Sequence, residues 1–244
     1  MLLHHMTWGA VDAHIQAGGG IALPMGSTEQ HGPMGMIGTD TICAGELAAR
    51  ACDRIGAICA PSLAYTPAPF NMSFPGTMSV TEALFEDLVG QLLEGLSGQG
   101  FQRIYILNGH GANLAPTRRA SDRLSGTRVL LRSWWDFEPV NALRRDWYGS
   151  WEGMHATPSE IAITQALHGA LPPNGAETPP EALSPDFIKA HAGDKHGPPD
   201  EHRAQFPDGR VGSHSALATP QHGAKLIEAA TQAIAEDMSA FFAN

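Results

Sequence analysis

Two apolar runs, Ile21-Ala-Leu-Pro-Met25 and Gln102-Arg-Ile-Tyr-Ile-Leu107, each pass directly into a glycine-flanked turn that carries a histidine. The first turn is Gly26-Ser-Thr-Glu-Gln-His-Gly32, followed by Gly38-Thr-Asp40. The second is Asn108-Gly-His110-Gly-Ala-Asn113. Strands alternating with helices at intervals of about 25–40 residues predict a parallel sheet covered on both faces. The C-terminal ends of such strands share one edge, where open α/β sheets place their sites. The two turns are therefore expected to converge.

Helix signals fill the intervals. Thr7 can cap a helix to Gln16, and a second runs from Asp40 to Ile55 with Gly56 just beyond it. A short strand is expected at 57–60, and a helix capped by Ser79 or Thr81 runs to Leu96. After the second turn a helix reaches Leu124, a strand covers Thr127–Leu131, and Thr219-Pro220 opens a final helix to Phe242. Pro61–Met78, a long loop with Tyr65, Phe70 and Phe74, reads as functional rather than filler. Residues 172–213 are rich in Pro, Gly, Asp and His and read as an irregular surface excursion. The whole of 1–244 is expected to form a single domain.

Charge and cysteine usage remove several classes. Fifteen Lys and Arg against 25 Asp and Glu give a net charge of −10. That argues against nucleic acid or an anionic membrane as the main partner. Cys43, Cys52 and Cys59 have no C-x-x-C spacing and read as free thiols. No stretch approaches the ~18 apolar residues of a membrane span, and Met1-Leu-Leu-His-His-Met6 lacks signal-peptide character. A soluble cytoplasmic protein is expected.

Glu29, His31 and Asp40 place two carboxylates and an imidazole within one Gly-rich stretch, the donor mix that zinc or manganese binds. His110 adds a second imidazole in a matching context. Each has a plainer reading. Asp40 alone fits the N-cap of a helix beginning at Thr41. Thr157-Pro-Ser-Glu160 fits a capping box, so Glu160 serves either the helix start or the site. His155 reads as a proton carrier or as a buried, hydrogen-bonded histidine. His191, His196 and His202, unevenly spaced in the excursion, read as solvent-facing.

Glu29-Gln-His31 with Gly38-Thr-Asp40, then Asn108-Gly-His110, then His155 and Glu160, resembles the creatininase family. The late Gly209-Arg-Val-Gly-Ser-His-Ser-Ala-Leu-Ala-Thr219 is similar to that family's C-terminal pattern. The resemblance implies a three-layer α/β/α sandwich with a mainly parallel central sheet. It also implies a binuclear metal-dependent amidohydrolase and a homo-oligomer, typically a hexamer. It assigns metal binding to Glu29, His31, Asp40 and His110, with Asp40 as the bridge. Creatininase has a ligand glutamate where this chain has Ala112, so the remaining ligand role passes to Glu160. Trp151 matches a tryptophan around the substrate, and Trp134 or Trp135 supplies another, although core packing explains some of these rings equally well.

The expected chemistry is hydrolysis of a C–N bond in a small cyclic amide, amide or formamide. Two divalent ions (zinc, manganese or iron) would generate a bridging hydroxide, and His155 would transfer a proton to the leaving nitrogen. The alternatives are creatinine or a short-peptide amide as substrate on the same site, or a non-catalytic, metal-stabilised oligomeric binding protein.

Overall fold

The computed structural model describes residues 1–243. In chain order its elements are α1 (Trp8–Gln16), β1 (Ile21–Met25), α2 (Thr39–Ile55), β2 (Ile58–Cys59), α3 (Glu82–Gly98), β3 (Arg103–Asn108) and α4 (Leu114–Asp122). They continue with β4 (Arg128–Ser133), α5 (Glu138–Trp147), α6 (Pro158–His168), α7 (Pro185–Ala190), α8 (Pro199–Gln205) and α9 (Pro220–Ala243). The four strands pair in the order β2-β1-β3-β4, all parallel.

Strand side chains alternate between two cores, as the two-residue period of a pleated strand requires. Ile21, Leu23, Met25, Ile104 and Ile106 pack with Phe85, Val89 and Leu93 of α3 and Ala120 of α4. Ala22, Tyr105 and Leu107 face the other way, against Leu47 and Ala51 of α2, Ile161 of α6 and Leu226 and Met238 of α9. These layers are the expected α/β/α sandwich. Pro24 lies inside a central strand, where a missing N–H is normally costly. Its carbonyl accepts from Leu63 N–H, on the side where β2 has already ended.

The predicted caps are present. Thr7 accepts from Ala10 N–H and Thr81, rather than Ser79, from Leu84 N–H, and Gly56 closes α2 in the left-handed region at φ +70°. Three helices lie where no helix was expected. One is α5. The other two, α7 and α8, are six and seven residues long and interrupt the stretch read as irregular. The two short ones cannot establish an apolar period, and all three carry a proline in the first turn. Among the described residues no helix is long and apolar enough to cross a membrane.

Candidate metal centre

The C-terminal ends of β1 and β3 stand side by side, with Met25 in register with Asn108. Gly26 and Gly109 follow directly, and a Cβ on either would overlap the backbone of Asp40 or Thr41. The two glycines thus let the first turn of α2 settle onto the sheet edge. The helix begins at Thr39 with Gly38 at its cap, so Asp40 lies in the first turn and does not cap it. That corrects the capping reading, because the backbone enters the helix two residues too early for Asp40 to be its cap. Gly109→Ala is expected to push α2 off the sheet, costing ~1–3 kcal/mol and shifting the thermal midpoint down by about 2–12 °C. Thermal unfolding with metal quantitation checks both the midpoint and the ion loss expected as Asp40 moves.

Glu29, His31, Asp40, His110, His155 and Glu160 are all buried and all gather here. Asp40 divides its carboxylate between two histidines. Its Oδ1 lies 2.9 Å from His31 Nε2, and its Oδ2 lies 3.2 Å from His110 Nδ1. Glu29 Oε1 is 3.2 Å from the same His110 Nδ1, and Glu160 Oε1 is 3.9 Å from His31 Nε2. Two groups able to hold an ion result, Glu29–Asp40–His110 and His31–Asp40–Glu160, with Asp40 common to both. A third, Glu29–His31–His155, includes His155.

Each histidine is oriented by a backbone carbonyl, which can only accept. His110 Nε2 lies 2.7 Å from Pro67 O, His31 Nδ1 3.0 Å from Glu29 O, and His155 Nε2 2.6 Å from Gln30 O. These contacts assign the N–H to those nitrogens and leave the opposite nitrogens facing the carboxylates, the outer-shell arrangement of metal-binding histidines. Glu29 Oε1 and Asp40 Oδ2 have no hydrogen-bond donor. Acceptors do not face one another bare in a buried site, so a proton, a metal ion or a hydrogen-bond donor such as water belongs among them. Burial alone would lower His31, but Asp40, then Glu160 and Glu29, outweigh it and raise the imidazole to about 10. His110 rises well above its ordinary range against the same burial cost, driven first by Glu29 and then by Asp40. The pocket's own field favours positive charge, and its donors fit divalent ions.

Glu160 meets both of its readings. Its Oε1 accepts from Thr157 N–H while Thr157 Oγ1 accepts from Glu160 N–H, a complete capping box. The same carboxylate faces His31, and burial is the main reason its pKa rises to about 8. The cap is what aims the carboxylate.

His155 is held from the late glycine-rich segment. Met154 N–H donates to Val211 O, Val211 N–H donates to His155 O, and Ser215 Oγ donates to Ala156 O at 2.7 Å. Ala156 sits at φ +57°, a left-handed conformation costing about 1–2 kcal/mol for alanine. That strain persists because the surrounding bonds fix the turn. Burial lowers the His155 pKa to about 3.

A cavity of about 330 Å³ opens on this centre. Trp134, Trp135 and Arg144 form part of its wall, Trp134 itself being only 1% exposed. Trp151 does not line it and stands edge-on to His214, 5.8 Å between ring centroids. A larger cavity of about 740 Å³ lies under the excursion against Leu183, Phe187 and Phe206, away from every donor atom named above.

Two contributions were invisible in the sequence. Asn71 donates to Glu29 Oε2 at 2.9 Å and is itself held by Gln30 Nε2, so the Pro61–Met78 loop steadies the centre. Only the length of that loop hinted at it. Asp194, from the excursion, lies 3.6 Å from His110 Nδ1. The solvent-facing reading of the excursion histidines is corrected for His202, which is 3% exposed, and in part for His196. Both pack on the Phe70 ring at 5.1 and 4.7 Å, an apolar contact that uneven spacing cannot reveal.

A parallel α/β/α frame carries at its strand ends a buried carboxylate–imidazole centre able to hold a metal ion. Residues 4–238 match the family model for creatininase, creatinine amidohydrolase. The chain belongs to the creatininase family. It is 28% identical to a creatinine amidohydrolase of Pseudomonas putida over 185 residues, 68% of this chain and 71% of that protein. It is 36% identical over 100 residues to a mycofactocin precursor peptide peptidase of Mycolicibacterium smegmatis, 38% and 40% of the two chains. A crystal structure of creatinine amidohydrolase superposes with a TM-score of 0.85 at 23% identity, covering 100% of this chain and 98% of the other. That likeness shows the fold.

Proposed function

We propose that this chain is a binuclear metal-dependent amidohydrolase that cleaves a C–N bond in a small cyclic amide, amide or formamide. The observation that carries the reading is the division of the Asp40 carboxylate between two donor groups, one oxygen toward His31 and the other toward His110. Glu29 and His110 would hold one ion, His31 and Glu160 the other, with Asp40 shared. Mixed imidazole and carboxylate donors suit zinc, manganese or iron. When bound, such ions polarise a carbonyl and bring the pKa of water to around neutral.

The chain's own residues supply positioning and proton transfer. Asn71 and the Pro67 and Gln30 carbonyls hold Glu29, His110 and His155 in place. Burial keeps His155 neutral, so at Nδ1, 3.6 Å from Glu29 Oε1 and facing the cavity, it would take a proton from the attacking water and pass it to the leaving nitrogen, the role we assign it. Trp135 offers a flat wall to a heterocycle, with Trp134 buried edge-on against it. The cavity volume lies near the lower end of the ~300–1,000 Å³ usual for small-molecule sites, which supports a small substrate over a peptide.

Metal quantitation on chain purified without a histidine tag tests this directly. About two ions per chain are expected, and each ion at a thousand times its Kd stabilises the fold by ~4 kcal/mol. Chelation of both should therefore lower the thermal midpoint by about 16–32 °C and abolish turnover in a screen of cyclic amides and formamides. Chain that takes up no metal after reconstitution would sink the hydrolase reading and leave a binding scaffold.

A further inference from the structure

Arg144 lines the same cavity as the centre but belongs to no group able to hold an ion. Asp40, His110, His155 and Glu160, which share that wall, are all members of such groups. Among the described residues lining the cavity, Arg144 is the sole arginine or lysine.

The guanidinium is fixed before any ligand arrives. Its Nε donates to Glu152 Oε1 at 2.9 Å and its Nη1 to Asn141 Oδ1 at 2.7 Å. Asn141 Nδ2 donates in turn to Trp135 O at 2.8 Å, so one amide steadies both the flat wall and the cation beside it. Glu152 Oε1 also accepts from Ser159 Oγ, in the helix turn that carries Glu160. Arg144 Cζ stands 5.7 Å from the centroid of the Trp134 ring. These contacts leave Nη2 with no acceptor among the described residues.

A salt bridge that only tied α5 to the start of α6 would gain little from this placement. The Arg144 and Glu152 side chains are 20% and 11% exposed, and at such burial desolvation offsets much of the attraction between the charges. A guanidinium already held rigid, with donors to spare, loses little freedom on taking a ligand. Its planar fork matches a carboxylate, whose two oxygens accept parallel N–H bonds. At about 330 Å³ the cavity lets one small molecule touch Arg144 and the centre together.

We infer that Arg144 receives a carboxylate of the substrate, so that the chain acts on amides bearing an acid group in preference to neutral ones. This names the substrate class of the site and rests on the amidohydrolase reading above. Arg144 sets specificity by gripping the acid end of the molecule, leaving the scissile C–N bond to the centre.

Two matched pairs of probes test the inference: 5-oxoproline with its carboxamide, and N-formylglycine with its amide. Dissociation constants are measured by calorimetry on the zinc-loaded full chain and again after chelation. The acid of each pair should bind the wild-type chain about 10–100-fold more tightly than its neutral partner. Arg144→Lys keeps the charge but not the fork, and should lose most of that preference. Arg144→Met combined with Glu152→Gln removes the cation and its buried partner together, and should abolish the preference while the neutral probes bind as before. A merely structural role would weaken acid and amide alike. A preference unchanged in Arg144→Lys and in the double variant would place the carboxylate on the metal ions and overturn the inference. Wild-type chain that binds the acids no more tightly than the amides, or binds no probe, would overturn it too. Wild-type chain that takes up no zinc would instead sink the hydrolase reading, and the same titrations on that chain would still decide the role of Arg144.

Discussion

Asp40→Ala is expected to lose both metal ions and to reduce turnover by about 10³-fold or more, because each metal contributes several kcal/mol and ~1.4 kcal/mol is tenfold in rate. The reason is geometric. Asp40 Oδ1 and Oδ2 face different histidines, so one side chain belongs to both donor groups. Removing Glu160 takes a donor from one of these two groups, whereas removing Asp40 takes one from each. The metal-free fold should weaken as well. His31 and Asp40 form a buried pair with side-chain exposures of 0% and 4%. Breaking a buried pair from one side costs ~3–5 kcal/mol, or about 6–20 °C in the thermal midpoint for a chain of this size. Metal quantitation and thermal unfolding of the two proteins, each with and without chelator, separate these effects. An Asp40→Ala chain that keeps two ions would remove Asp40 from the bridging position.

His155→Ala should lower kcat by about 10²–10⁴-fold and leave the metal content intact. The structure supplies a rival outcome. His155 shares a potential ion-holding group with Glu29 and His31, its Nδ1 lying 3.6 Å from Glu29 Oε1. Were it a ligand, one ion would leave together with the activity. His155→Gln helps distinguish the two, because its amide can still donate to the Gln30 carbonyl that now receives the His155 N–H. A low kcat with two ions in both variants marks a proton carrier. Activity equal to wild type in His155→Ala would remove His155 from the mechanism.

The frame was written locally. Apolar runs of five and six residues followed by glycine predicted strands whose C-terminal ends carry the site, and Met25 and Asn108 do lie in register there. Thr7, Thr81 and Thr157 cap the helices their spacing suggested. Glu29, His31, Asp40 and His110 were legible as a group because the chemistry sits within a few residues of those strand ends.

What sequence left open depended on contacts between residues far apart in the chain. Glu160 was balanced between cap and site, and only the packing of α6 beside α2 allows one carboxylate to serve both. Asn71 and Asp194 stand in loops without periodic signal, 42 residues from Glu29 and 82 from Ala112, the groups they hold. No local propensity encodes such a contact, since loop conformation is fixed by what it lands on rather than by its own repeat. The sequence by itself determined the layers and the strand-end chemistry, through patterns of two and 3.6 residues and through glycine. The tertiary structure alone decided which carboxylates surround His110, because that requires three loops to close over one sheet edge.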